Sequence, residues 1–236
     1  MHAIRSKISL LAGGSVLLSA CGGGWGMASP PDVVQASDEL PITARSSFSG
    51  ALANESFRMG SYRVAEVKRN WTNTNTRSSP AFGFTDSRTR GGYTYELFAG
   101  DVQLLGECAT EEREHAQDLG DGAAFSKLVA KLGCSCKRGE REITLVLEAS
   151  TTEPYAGTIK GGDHAPRVTA LSQRENGRMP NRDPLGYRVD SDQPLGAVGV
   201  VKPGRVWLSK QLGDDQRTEL ACLFAGLLLY EPPRER

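Results

Sequence analysis

The chain has 236 residues, of which 39% are hydrophobic and 24% are charged, a composition typical of a soluble globular domain. Basic and acidic residues balance at 28 each, which argues against the strongly basic surface of a nucleic-acid-binding protein. No segment is apolar over the about 20 residues that a membrane-spanning helix needs.

The N-terminus has the pattern of an export signal. Arg5 and Lys7 precede an apolar run over residues 8–18, and small residues then lead to Cys21. A basic start, a short apolar stretch and small residues before a cleavage point are typical of a secretory signal peptide. Removing residues 1–20 would take away Arg5 and Lys7, leaving 26 basic residues against 28 acidic ones.

The stretch Leu18-Ser19-Ala20-Cys21 resembles the lipobox of bacterial lipoproteins. The resemblance implies a signal peptide over residues 1–20, cleavage before Cys21, and diacylglycerol on its thiol, so that the membrane is a partner through the lipid. Two or three acyl chains anchor a protein stably, whereas one anchors it only marginally. Gly22 replaces the aspartate that retains such proteins in the inner membrane, which favours the periplasmic face of the outer membrane. An ordinary signal peptide that ends beside a cysteine is the alternative.

Residues 21–50 are rich in Gly, Ser, Pro and Ala, and Pro30, Pro31 and Pro41 interrupt any regular element. Such a segment buries too little apolar surface to offset its ordering entropy. We predict a flexible tether with a reach of roughly 30 Å. Residues 51–236 then form a single β-rich globular domain.

Short strand patterns separated by turn signals fill this domain. They lie at residues 62–71, 93–97, 102–105, 128–132, 142–147, 155–159, 167–171, 187–189, 196–201 and 205–208. Turns are predicted at residues 99–101, 137–140 and 202–204, a long polar loop at 72–92, and a partly helical segment at 107–122. The absence of strand-helix alternation favours an antiparallel sheet.

The C-terminal end differs, because residues 220–230 contain no charged side chain and are apolar on all sides. Asp214 or Asp215 can cap a helix there. A short helix that is apolar on every face is buried. We therefore predict a mainly β fold, an antiparallel barrel or sandwich packed around or against one hydrophobic helix at about residues 214–230.

That combination resembles the tubby C-terminal-like superfamily, in which a β-barrel encloses a hydrophobic C-terminal helix. The resemblance is carried by residues 186–189, 197–200, 205–208 and 227–230. No cluster of lysines marks a phosphate site, so no phosphoinositide-binding residue is inferred from it.

Four cysteines besides Cys21 would reach an oxidising compartment, where disulfides persist. We prefer a bridge between Cys108 and Cys134, with Cys136 as the alternative partner. Such a bridge would stabilise the fold by about 3 kcal/mol in the chain-entropy model. Pairing of Cys222 stays open.

A metal site built from Cys108, Cys134, Cys136 and His115 is the rival interpretation. Structural zinc usually takes cysteines spaced C-x₂₋₄-C, whereas Cys134 and Cys136 are closer together. We predict no metal and no cofactor.

The usual catalytic spacings are missing, since no G-x-S-x-G, H-E-x-x-H or phosphate-binding glycine loop occurs. Glu112 and His115 have an E-x-x-H spacing, but a solvated acidic segment explains them. His164 is interpreted as a turn residue, and Asp118 and Asp121 do not meet the calcium-loop pattern. These observations favour binding over catalysis.

Strand aromatics could line a ligand groove, although such side chains usually pack cores. They are Trp71, Tyr93, Tyr95, Tyr155, Tyr187 and Trp207. We therefore predict a membrane-anchored envelope accessory or binding module, with an envelope protein or polysaccharide as partner. The alternatives are a carboxylate-based hydrolase acting on envelope glycans and a lipid-binding hollow barrel.

Overall fold

A computed structural model describes residues 26–45, 55–79, 83–120, 123–162, 165–177, 179–181 and 183–230. The described residues form a 13-stranded antiparallel sheet, nearly closed into a barrel, and one long C-terminal helix. The strand order is β1-β13-β12-β11-β10-β9-β8-β7-β6-β5-β4-β3-β2. Most strands pair with their neighbours in the sequence, as the run of turn signals predicted.

In chain order, the elements are α1 (Pro31–Ala36), β1 (Ser37–Leu40), β2 (Ile42–Thr43), β3 (Phe57–Met59), β4 (Tyr62–Ser79), β5 (Phe84–Ala99), β6 (Val102–Gly120), β7 (Ala123–Arg138), β8 (Arg141–Ser150), β9 (Ala156–Lys160), β10 (Arg167–Leu171), β11 (Gly186–Asp190), β12 (Pro194–Gly199), β13 (Arg205–Ser209) and α2 (Asp214–Leu229).

One extended stretch brings the two edges of the sheet together. β1 pairs with β13, where Leu40 lies opposite Val206, and β2 pairs with β3, where Ile42 lies opposite Met59. Only Pro41 separates β1 from β2. Proline has no N–H to donate to a ladder, but its carbonyl accepts a hydrogen bond from the Gly60 N–H at 2.9 Å. The same short segment therefore nearly closes the barrel.

The folded region begins earlier than residue 51, where composition placed it. α1 starts with Pro31 at a favourable first position, and Val33 is fully buried with Met27 and Trp207 in a second, smaller core outside the sheet. These few apolar residues are diluted among Gly, Pro and Ser, so composition hides them. The prediction of a flexible tether over residues 21–50 is therefore wrong for residues 27–43, which belong to the folded region. Residues 1–25, including the predicted signal peptide and Cys21, lie outside the described part.

Helix α2 occupies the interior of the barrel, and all its residues from Leu220 to Leu229 are buried. It contacts β5, β6, β7, β8, β12 and β13. The predicted fold class, an antiparallel barrel or sandwich packed around or against one hydrophobic C-terminal helix, is confirmed, and the sheet has the barrel-like form. The helix takes up the space that the hollow barrel of a lipid carrier would need.

Hydrogen bonds from the barrel wall hold α2 in place. The Tyr95 hydroxyl donates to the Cys222 carbonyl at 2.7 Å, and the Tyr93 hydroxyl donates to the Gly226 carbonyl at 2.8 Å. The Arg69 guanidinium donates to the Leu229 carbonyl at 3.0 Å, and the Arg45 guanidinium donates to the Leu228 carbonyl. The last carbonyls of a helix lack partners within the helix, and cations are favourable at that end. The two arginines therefore satisfy the end of α2.

Two disulfides stabilise the barrel and its helix. Cys108 and Cys134, directly opposite on β6 and β7, form one, while Cys136 bonds to Cys222 on α2. The loops that they close, with separations of 26 and 86 residues, correspond to about 3.5 and about 4.5 kcal/mol in the chain-entropy model. The four cysteines therefore offer no thiolate to a metal.

The strands predicted between residues 155 and 209 are present as β9 to β13, with ends shifted by at most a few residues. Gly100 and Gly139 have φ angles of 59° in the turns predicted at 99–101 and 137–140. Two predictions are wrong. Residues 72–79 belong to β4 and residues 84–92 belong to β5 rather than to a loop, and residues 107–120 belong to β6 rather than to a helix.

Candidate functional site

Strands β4 to β7 continue beyond the buried core, at the end of the barrel where α2 finishes. Tyr93, whose hydroxyl bonds to the end of α2, is the last buried residue of β5 in that direction. We call the four-stranded part beyond it the sheet extension, comprising residues 72–79, 84–92, 109–118 and 125–129. It has no apolar core of its own.

The two faces of the sheet extension carry different chemistry because side chains alternate along a strand. Along β5, the side chains of Tyr93 and Tyr95 point into the barrel, so the even-numbered residues 84–90 continue its outer face. The inner face is rich in hydroxyl groups, and the Thr74 and Thr89 hydroxyls are 3.0 Å apart. The outer face is charged.

The outer face lines a concave surface that encloses a volume of about 490 Å³. It is lined by the charged residues Arg77, Asp86, Arg88, Arg113, Glu114 and Lys127 and by His115. In the register of β5 and β6, Arg88 lies directly opposite Arg113. Like charges in such positions are destabilising, so this arrangement is not explained by strand pairing alone. The concave surface carries a surplus of positive charge.

Glu111 is the carboxylate at the centre of this arginine cluster. Its oxygens lie 2.5 Å from Arg88, 2.6 Å from Arg113 and 3.1 Å from Arg90. Hydrogen bonds from these guanidinium groups, with Arg88 contributing most, lower the pKa of Glu111 to about 2. One carboxylate thus faces three guanidinium groups, leaving positive charge available to a ligand.

His115 also lies on the outer face, where its Nδ1 is 2.5 Å from the Asp86 carboxylate and its ring stacks with that of Phe84. On a strand, residues three apart point to opposite faces. Glu112 and His115 therefore do not form a shared ligand pair, as the E-x-x-H spacing would have allowed on a helix.

A second cavity, of about 320 Å³, lies beside the beginning of α2 at the other end of the barrel. Its lining is mostly apolar and includes Leu195 and Leu220, while Asp192 and Glu219 border it. Arg141 lies 3.1 Å from Glu219. One of the two carboxylates that a glycan hydrolase could use is therefore engaged in an ion pair.

Other candidates from the sequence are distributed differently. Tyr93, Tyr95, Tyr187 and Trp207 are buried, so they pack the two cores rather than line a groove. His164 and Asp121 lie outside the described residues. In the part of the chain that the structure describes, no group of three or more His, Cys, Asp or Glu residues could hold a metal ion.

Sequence reasoning missed the basic residues of the outer face. Their signal was the alternation of hydroxyl and charged side chains in residues 85–90, which has the period of a strand without apolar residues. No helix in the described ranges has both the length and the hydropathy needed to cross a membrane.

No family model, curated protein or solved structure matches this chain. The lipobox and the resemblance to the tubby C-terminal-like superfamily stay predictions.

Proposed function

We propose that the protein is a lipid-anchored lipoprotein of the bacterial cell envelope that binds an anionic envelope polysaccharide. The observation that carries the proposal is the concave basic outer face of the sheet extension, where Arg88 and Arg113 lie opposite each other. Glu111 offsets one of the positive charges, and an anion bound there would offset the charge that remains.

The chemistry of this face suits a carboxylated or phosphorylated polymer. Guanidinium groups bind carboxylate and phosphate in a bidentate manner, and Arg77 and Lys127 extend the positive charge to either side. Phe125, 54% exposed, adds an apolar contact near the tip of the extension. Stable protein partners usually present a buried apolar centre instead, which favours a polysaccharide over a protein.

The lipid on Cys21 would hold the binding face near the membrane. Met27, which is buried against the sheet, follows Cys21 by only six residues. Six residues span at most about 20 Å when fully extended. The barrel would therefore stay close to the bilayer, most favourably on the periplasmic face of an outer membrane.

A fluorescent oligogalacturonate, a carboxylated polysaccharide fragment, tests the binding face. We expect its anisotropy to rise with protein concentration and the affinity to fall with added salt, since salt screens exposed charges. The double substitution Arg88→Gln with Arg113→Gln should weaken binding at least about tenfold, because two charge-assisted contacts are lost.

The control is Arg58→Gln on β3, which removes an exposed cation outside the sheet extension and should leave the affinity nearly unchanged. Equal affinity of the double variant and the wild type would refute the proposed site. Failure to bind either this probe or a phosphorylated oligosaccharide would refute the proposed function.

Membrane attachment is tested separately with Cys21→Ala. The wild-type protein should sediment with membranes after an alkaline wash, and the variant should remain in the supernatant because it has no thiol for the lipid. Persistent attachment of the variant would overturn the lipoprotein assignment without affecting the binding face.

A further inference from the structure

The two long edges of the sheet extension differ in how their backbone groups are satisfied. On the β7 edge, the Thr151 N–H donates to the Leu128 carbonyl at 3.0 Å, and the Leu128 N–H donates to the Thr151 hydroxyl at 2.7 Å. On the β4 edge, residues 73–79 pair with β5 on one side, after a bulge at residues 71–72. On their other side, no described residue pairs with them.

Among the described residues, the open edge has few of the features that usually prevent strand pairing. Natural edges carry lysine, proline, bulges or a covering segment. Residues 73–78 are exposed, follow one another in regular register with β5 beyond the bulge at residues 71–72, and contain Arg77 as their only charge. An exposed edge of this kind is a template for another strand.

We propose that this edge pairs with the same edge of a second copy. The two strands run antiparallel, and the two-fold axis that relates them passes between the two Asn75 residues. This axis lies at the centre of the exposed residues 72–78 and pairs residues 73–77 of the regular strand with those of the second copy. It places Asn75 opposite the partner's Asn75, and Thr74 opposite the partner's Thr76. Arg77 then lies opposite the partner's Asn73, so that no like charges meet.

The facing side chains are complementary to themselves. An asparagine amide has both donors and acceptors, so two Asn75 side chains can satisfy each other. Threonine pairs across antiparallel strands are favourable, and the inner face already contains one between Thr74 and Thr89. The five paired residues of each copy bury less than the roughly 1,200 Å² of stable complexes, so the dimer forms in a concentration-dependent manner.

This pairing would also enlarge the binding face. A two-fold axis between antiparallel strands is perpendicular to the sheet, so both outer faces lie on the same side. Eight strands at about 4.8 Å each give a surface about 38 Å wide. One further consequence rests on the proposed function. A single polysaccharide chain contacts both copies and gains avidity from the second contact.

Sedimentation equilibrium of the full chain, without polysaccharide, tests the pairing between about 10 μM and about 1 mM, the range of weak complexes. The wild type should shift from monomer to dimer mass. Thr74→Lys with Thr76→Lys places lysines opposite each other on the inner face, away from the basic site, and should raise the dissociation constant at least about tenfold. The control, Thr94→Lys in the interior strand β5, should match the wild type.

A cysteine variant tests the register. Asn75→Cys should form a disulfide-linked dimer on oxidation, because directly opposed residues of antiparallel strands have Cα atoms about 4.5–5.5 Å apart. Thr94→Cys should not. A wild type that stays monomeric at the highest concentration overturns the proposal, as does a double-lysine variant that dimerises normally. A dimer without the Asn75→Cys cross-link overturns the two-fold axis.

The two proposals fail separately. Dimerisation is measured without ligand, and oligogalacturonate binding is measured at concentrations where the protein is monomeric. A dimer that binds no anionic oligosaccharide would refute the proposed function and leave the strand pairing in place.

Discussion

The barrel and the sheet extension are built from the same strands, yet different forces hold them. On β5, Tyr95 and Leu97 are buried around α2, while Asp86, about ten residues earlier, is exposed and Arg88 is only half-buried. Burial of apolar surface is the dominant favourable term in folding. The comparison indicates that the barrel supplies the stability of the chain and the extension displays its charges.

Exposed ion pairs in the extension support this division. Arg90 and Arg113, for example, which both pair with Glu111, are 57% and 60% exposed. Pairs of this kind typically contribute about 0–1 kcal/mol. Because the charges of the extension contribute little to stability, their arrangement is better explained by a binding role than by folding.

The largest expected effect comes from truncating one phenylalanine in each region. Phe224→Ala empties a fully buried position on α2 and should lower the free energy of unfolding by about 3–5 kcal/mol. Phe125→Ala, at a position 54% exposed in the extension, should change it by less than about 0.5 kcal/mol. Urea denaturation measures both, and equal losses would contradict the division between the two regions.

A pair of glycines sharpens the same comparison within α2. A Cβ at Gly226 would lie 2.8 Å from both the Cys108 sulfur and the Tyr95 hydroxyl oxygen, so Gly226→Ala should cost about 1–3 kcal/mol through overpacking. At Gly213, the N-cap of α2, nothing lies within 4 Å, so the same substitution should cost only about 0.5 kcal/mol, because alanine is a poorer N-cap than glycine. Urea denaturation of both variants is the measurement. A neutral Gly226→Ala would show that the helix is packed more loosely against the barrel wall.

The barrel could be predicted because burial leaves a pattern in the sequence. Residues 220–230 are apolar on every face, which only a buried helix tolerates, and Ile143, Leu145 and Leu147 alternate toward the core. The turn glycines Gly100 and Gly139 indicated the positions of two hairpins. These signals are local, so they can be read without knowing the topology.

The extension could not be predicted in this way, because both its faces are polar and hydrophobic periodicity vanishes there. Its strands are specified by cross-strand partners such as Asp86 and His115, which are 29 residues apart. The closure of the barrel was hidden for a related reason. Pro41 looks like a breaker, and only the assembled sheet shows that it joins strands on two opposite edges.

The smallest and most local effect is the titration of Glu111, which tests the arginine cluster at the centre of the outer face. The guanidinium groups lower the pKa of its carboxyl from the ordinary value of 4.5 to about 2. A depressed pKa in the folded state stabilises the fold above the unfolded value, and that contribution disappears as the pH falls from about 4.5 toward 2. Carboxyl NMR titration should give a midpoint near 2.

The substitution Glu111→Gln removes the negative charge of this side chain and keeps nearly the same shape. The variant should lose the low-pH titration and bind the anionic oligosaccharide more tightly, since a competing carboxylate is removed from among Arg88, Arg90 and Arg113. The gain should shrink as salt screens the exposed charges. A Glu111 midpoint near 4.5, or weaker binding by the variant, would show that Glu111 does not compete with an external anion for these arginines.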